Sequence, residues 1–306
     1  MDTSPHKSDF VNVNGIRLHY LDWGGEGETL IFLTGMGCSA HFFDRIAPRF
    51  ANSFRVLALT RRGQGESDFP ETGYDVDTLA DDILDFMDTL NVERAILAGH
   101  SMAGIELSYL AVHYPQRVLK LVYLDAAYDM RGNQELWAKN PIKDVEPPYK
   151  KDEFTSVEEY TSYLKRLYPE FAEIRSEIWD EVMNYELVQN ENGMFVEKDT
   201  SKISVAMLEA MNTYAPEFAK INVPVLSFYA IHNKPEYHPD YLTEEQRNLF
   251  GEFFENSLKP MWKSKREKFR VDVPHAKIIE IPDGHHYCFV VQEELVYEEM
   301  RNFLLE

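Results

Sequence analysis

Six short apolar runs, each bounded by turn residues, constrain the fold of this chain more than any other feature: Thr29 to Thr34, Arg55 to Thr60, Arg94 to Ala98, Val118 to Leu124, Val223 to Ala230 and Ala276 to Ile281. Apolar runs of that length with little polar alternation are what strands buried on both faces of a parallel sheet require. Ahead of them Val11, Val13, Ile16, Leu18 and Tyr20 alternate around Asn14-Gly15, the pattern of a β-hairpin on a tight turn. Between the runs lie helical patterns. The clearest places Val76, Leu79, Ala80, Ile83, Phe86, Met87 and Leu90 on one stripe and Asp81, Asp82, Asp85 and Asp88 away from it. Strands alternating with amphipathic helices predict an α/β fold, a doubly wound, mostly parallel sheet of eight strands with helices on both faces. In such a sheet ligands bind beyond the carboxyl ends of the strands.

The rhythm breaks after Tyr128. Arg131 to Lys220 carries Pro141, Pro147, Pro148, dense charge and helical stretches near Ser156–Tyr168, Phe171–Glu186 and Ser201–Met211. We read residues 130–220 as an inserted helical cap, and 1–129 with 221–306 as the core domain. Of the cap's Trp137, Tyr149, Tyr160, Tyr163, Tyr168, Trp179 and Met183, most are expected to form its own small core, and some can roof a pocket. A second irregular piece, His232 to Pro274, holds an aromatic helix with Phe250, Phe253, Phe254 and Trp262, a stripe expected to serve packing.

With 44% apolar and 13% aromatic residues the chain can bury a core without disulfides or a structural metal. A formal charge of -21, from 31 basic and 52 acidic residues, argues against nucleic acid and anionic membrane as partners and by itself names no substrate. Cys38 and Cys288 are too few for a disulfide framework and are expected as buried thiols. The start, Met1 to Ser8, is polar, and no apolar stretch nears the roughly 18 residues of a membrane span, so a cytoplasmic protein is expected. No metal ligands occur at recognisable spacing, and no cofactor is expected.

The chemistry centres on one serine. Arg94 to Ala98 leads into Gly99-His100-Ser101-Met102-Ala103-Gly104, and a helical pattern then runs to Tyr114. A strand, a sharp turn and a helix meet there; the turn would project a hydroxyl above the sheet beside a helix N-terminus that favours developing negative charge. The stretch resembles the nucleophile elbow of the α/β-hydrolase family, G-x-S-x-G, with Ala103 in place of the second glycine. The resemblance covers Val11 to about Asp129 and Pro224 to the end, and it implies that Ser101 is the nucleophile.

The remaining assignments follow from the same resemblance. After the last strand, Pro282-Asp-Gly-His-His-Tyr-Cys-Phe289 is similar to the family's histidine loop, and His286 is chosen over His285 as general base. Asn233 stands near where the family most often has an acid; the family's other location, one strand earlier, offers Asp125, preferred over Glu236, Asp240 and Asp129. The backbone N–H groups of Met36, in Thr34-Gly-Met-Gly37, and of Met102 are the implied oxyanion donors. Arg61-Arg-Gly-Gln-Gly-Glu-Ser-Asp68 resembles a family stretch that supports the oxyanion loop. The implied activity is hydrolysis of a carboxylic ester of a small, largely apolar substrate through an acyl-enzyme. Lactone, peptide and carbon–carbon bond hydrolysis, and a silent ligand-binding protein on the same fold, remain alternatives.

Overall fold

The computed structural model of the protein describes residues 6–231 and 239–306. Its main sheet has eight strands in the order β1-β2-β4-β3-β5-β6-β9-β10. The strands are β1 (Lys7–Val13), β2 (Ile16–Gly24), β3 (Thr29–Leu33), β4 (Arg55–Leu59), β5 (Ala95–His100), β6 (Val118–Leu124), β9 (Val225–Ile231) and β10 (Lys277–Pro282). The hairpin forms as expected: Asn14 and Gly15 both take positive φ, 49° and 76°, the conformation a two-residue turn needs to match strand twist. β2 pairs antiparallel with β1 and β4, and the pairings among β4, β3, β5, β6, β9 and β10 are parallel. β3 is buried along its whole length, as a strand covered on both faces must be.

α1 (Val76–Thr89) begins at Asp75, whose side chain accepts from the Thr78 N–H, and buries the expected stripe of Leu79, Ala80, Ile83, Phe86 and Met87. Asp82 departs from expectation. It is buried beside that stripe, where it takes both arms of the Arg62 guanidinium at 2.6 Å, so the burial of one charge is offset by the other. α2 (Ala103–His113) follows β5, and α9 (Cys288–Val291) and α10 (Glu293–Leu305) close the chain. Both cysteines are free and buried, and burial pushes the Cys38 thiol up to about 12. Among the described residues no helix is long and apolar enough to cross a membrane.

Between β6 and β9 the chain leaves the sheet for a first insert: α3 (Asn133–Trp137), α4 (Val157–Leu167), α5 (Ser176–Glu186), a hairpin of β7 (Leu187–Gln189) and β8 (Phe195–Glu197), and α6 (Ser201–Thr213). The helix expected from Phe171 starts only at Ser176, because Ile174 runs extended to bury its side chain and a 3-10 turn occupies Pro169–Glu173. The small hairpin was not expected from the sequence. Its turn holds Gly193 at φ 75°, and Asn192-Gly193 was the available signal.

Among the described residues of the second insert, between β9 and β10, one long helical rod runs from Glu244 to Asp272. α7 (Glu244–Phe253) opens on a capping box at Thr243 and Gln246, passes through a π-helical segment (Phe254–Leu258) and continues as α8 (Lys259–Asp272). In a straight α-helix residues four apart drift by about 40° per step, hence about 120° over three steps. The wider π turn absorbs part of that drift, and Phe250, Phe254, Leu258 and Trp262, each four apart, line one cavity.

Candidate active site

The turn between β5 and α2 puts Ser101 at φ 53°, a left-handed conformation that a serine holds only where its surroundings enforce it. Its N–H reaches the Leu124 carbonyl of the neighbouring strand at 3.3 Å, and its own carbonyl accepts from the Gly104 N–H at 3.0 Å. Gly104 cannot carry a side chain: a Cβ there would fall 1.9 Å from the Ala126 carbonyl oxygen. The additional methyl of Ala103 is accommodated because Gly99 opposite has none; a Cβ on Gly99 would lie 2.9 Å from it.

Asp125 ends β6, also with positive φ (50°), and is almost fully buried. Its Oδ2 lies 2.7 Å from His286 Nδ1, while Oδ1 accepts from the Tyr128 hydroxyl at 2.9 Å and from the Ala230 N–H at 3.1 Å. Burial, next to the Asp125 charge, holds the Tyr128 hydroxyl well above its ordinary value, so it stays a donor. A carboxylate fixed by two donors fixes in turn the ring it faces. The His286 side chain is 40% exposed, so a molecule in the cavity can reach it. Ser101, Asp125 and His286 line the same cavity.

The rejected acids lie elsewhere or outside view. Asp240 is exposed and bonds to the Tyr149 hydroxyl, Asp129 pairs with Arg131, and Asn233 and Glu236 fall outside the described residues. His285 is buried, accepts at Nδ1 from the Tyr287 N–H and donates from Nε2 to the Glu170 carbonyl, which bolts the histidine loop to the first insert. His100, which sequence reasoning passed over, makes a second bolt. Its Nε2 meets the His286 carbonyl at 3.1 Å, and burial keeps the ring neutral by lowering its pKa well below the usual value. Its only sequence signal is its place beside the serine.

Met102 is buried at the start of α2, and Met36 lies in the turn after β3. That turn crowds the elbow: a Cβ on Gly35 would lie 3.1 Å from Ser101 Cβ. Two side chains of the Arg61–Asp68 stretch hold it. Arg61 donates to the Gly35 carbonyl at 3.3 Å and grips Glu106 of α2 through two bonds of 2.6 and 2.7 Å; burial raises the Glu106 pKa against the pull of Arg61. Gln64, with its amide oriented to suit its neighbours, donates to the carbonyls of Gly35 and Cys38 and accepts from the Gly37 N–H. Thr34 is buried beside that amide.

The cavity measures about 250 Å³. Phe250, Phe254 and Trp262 form much of its wall, which corrects the expectation that their stripe serves packing alone; Phe253 does keep to packing, against Trp137. From the first insert Met130, Trp137 and Met211 reach the cavity. Tyr160, Trp179 and Met183 are buried, but in one cluster with Phe32, Phe42 and Phe43, so they join the main core and do not form the small core of the insert's own that was expected.

The sequence profile of the alpha/beta hydrolase fold matches residues 28–203, more than half of the chain. Among curated proteins the chain is similar to the AB hydrolase superfamily protein YisY of Bacillus subtilis (strain 168), 42% identical over 105 residues, or 34% of this chain and 39% of that one. It is also similar to a non-heme chloroperoxidase of Streptomyces lividans, 38% identical over 116 residues, 37% of this chain and 42% of the other. The matched stretch thus spans about two fifths of these relatives' length. Among solved structures the crystal structure of E-2-(acetamidomethylene)succinate hydrolase superposes with a TM-score of 0.77 at 21% identity, over 98% of this chain and all of the other. Sheet order, elbow and profile agree: the chain belongs to the alpha/beta hydrolase fold family.

Proposed function

We propose that the protein is a serine hydrolase that cleaves carboxylic esters with a largely apolar acyl group through an acyl-enzyme. The observation that carries this reading is the 2.7 Å contact between His286 and Asp125 at a cavity that Ser101 also lines. Ser101 Oγ attacks the ester carbonyl as His286 Nε2 takes its proton, and Asp125 stabilises the imidazolium. The N–H groups of Met36 and Met102 hold the oxyanion. His286 then returns the proton to the departing alkoxide, and water, deprotonated by His286, releases the acid. The first insert acts as the cap over this site, with 1–129 and 221–306 as the core. No lysine or arginine lines the cavity among the described residues, so a substrate carboxylate would meet Asp125 uncompensated. That disfavours a dianion such as the succinate in the name of the structural relative.

A fluorophosphonate probe with peptide mass spectrometry, run beside a panel of p-nitrophenyl esters and lactones, tests the proposal. Labelling at Ser101 together with ester turnover is expected. Asp125→Asn should lower kcat by about 10⁴-fold, while Asp240→Asn and Glu236→Gln leave it near wild type. His286→Ala should abolish turnover, and His285→Ala should retain much of it. An unlabelled Ser101 without turnover would replace this reading with that of a silent ligand-binding protein.

A further inference from the structure

Outside the cavity, three histidines and two carboxylates converge where β2, the turn after the oxyanion loop and the Arg61–Asp68 stretch meet. We propose that His19, His41 and Glu66 form a divalent transition-metal site of the zinc type that braces the oxyanion loop from outside.

The distances suit such an ion. Glu66 Oε2 lies 3.3 Å from His19 Nε2 and 3.5 Å from His41 Nε2, and the three ligand atoms are within 4.8 Å of one another. The edge of a tetrahedron with metal–ligand bonds of about 2.0–2.1 Å is about 3.3 Å. Both rings are tethered through the opposite nitrogen, the arrangement that fixes tautomer and aim in metal-binding histidines. His19 Nδ1 is 2.9 Å from Thr60 Oγ1, and His41 Nδ1 is 2.9 Å from Asp44 Oδ2. The other Asp44 oxygen takes His6 Nδ1 at 2.6 Å, so Asp44 accepts from two rings and serves as support rather than ligand.

Orientation and burial point the same way. His41 is stacked flat on Tyr185, with centroids 3.5 Å apart and planes 7° apart. Its Nε2 is buried without a well-formed hydrogen bond and faces Glu66 Oε2 at 3.5 Å. Glu66 is 36% exposed and gives an ion its way in. Ser8 Oγ, 3.0 Å from His19 Nε2, is the neighbouring oxygen that can fill a fourth position, directly or through water. Two imidazoles and a carboxylate suit zinc better than magnesium or calcium, which take oxygen ligands. At positions 19, 41 and 66 the ligands are too far apart to form a sequence motif.

A bound ion would tie three segments together. His19 is on β2; His41 is in the turn after Cys38; Glu66 is two residues from Gln64, which bonds to Gly35, Gly37 and Cys38. Without metal, a proton fills the gap: burial alone would lower the His41 pKa, but Asp44, which accepts from the ring at Nδ1, and the nearby Glu66 carboxylate outweigh it and raise it to about 9.

The test uses the full chain, stripped by chelator and titrated at pH 8 with Zn²⁺ by calorimetry and with Co²⁺ by visible spectroscopy. One equivalent, the intense bands of tetrahedral cobalt and a melting temperature raised by several degrees are expected. Glu66→Gln should weaken Zn²⁺ binding by at least 100-fold. Asp44→Asn should weaken it by about 10–100-fold. His286→Ala should bind as wild type does, which separates this site from the catalytic histidine. Glu66 is at the surface, and the melting of metal-free Glu66→Gln checks that it folds; Asp44→Asn gives a second reading. No binding, octahedral cobalt, or an equivalent that survives Glu66→Gln but not His286→Ala would overturn the proposal, the first leaving a protonated His41 between two carboxylates.

Discussion

The two inserts are both rich in aromatic residues, yet they spend them differently. In the first, Trp179 sits among Phe42, Phe171 and Tyr287, with ring centroids 5.6, 4.6 and 6.0 Å away. It joins the insert to the 3-10 turn at Ala40–Phe43 and to the loop that carries His286. In the second, Phe250, Phe254 and Trp262 face the cavity from a single rod. Aromatic content therefore says little about role; the partner surface decides. Both inserts begin and end on neighbouring strands, β6 with β9 and β9 with β10, so the connection does not decide this; what differs is that Trp179 meets rings of the core while Phe250, Phe254 and Trp262 line the cavity.

Three substitutions test this division. Trp179→Ala should have the largest effect, a loss of about 3–5 kcal/mol in unfolding free energy by denaturant titration, with the order of ester preference unchanged. A changed preference would make Trp179 part of the binding surface and break the comparison. Phe254→Ala should lower kcat/KM for bulky apolar esters by about 10–100-fold, matching the roughly 1.5–3 kcal/mol of one buried apolar side chain, and spare acetyl esters. Equal losses on both would mean that the rod positions the catalytic loops instead. Trp137→Ala should have the smallest effect, a few-fold loss on the same bulky esters, since Trp137 is already 37% exposed while lining the cavity.

The middle of the sheet was legible because β3, β4, β5 and β9 are buried on both faces and therefore write themselves as unbroken apolar runs. Ser101 was legible because a strained turn demands small neighbours at Gly99 and Gly104, a local constraint that leaves a local pattern. The pairing of His286 with Asp125 was accessible only through chain order and family resemblance, because it joins residues 161 positions apart. The inserts were harder to read. Periodicity located their helices but could not show which face meets the core, and the π-helical segment shifts that face partway along the rod. Asp82 shows the same limit at one residue, since its burial depends on Arg62, which belongs to another element.

The position of Asp125 has an evolutionary consequence. His286 takes its carboxylate from the end of β6, the strand beside the one that presents Ser101. The helical run from Glu244 to Asp272 forms much of the cavity wall and belongs to an insert that holds neither residue of that pair, so changes in this part of the gene can retune what the cavity admits without touching the Asp125–His286 contact.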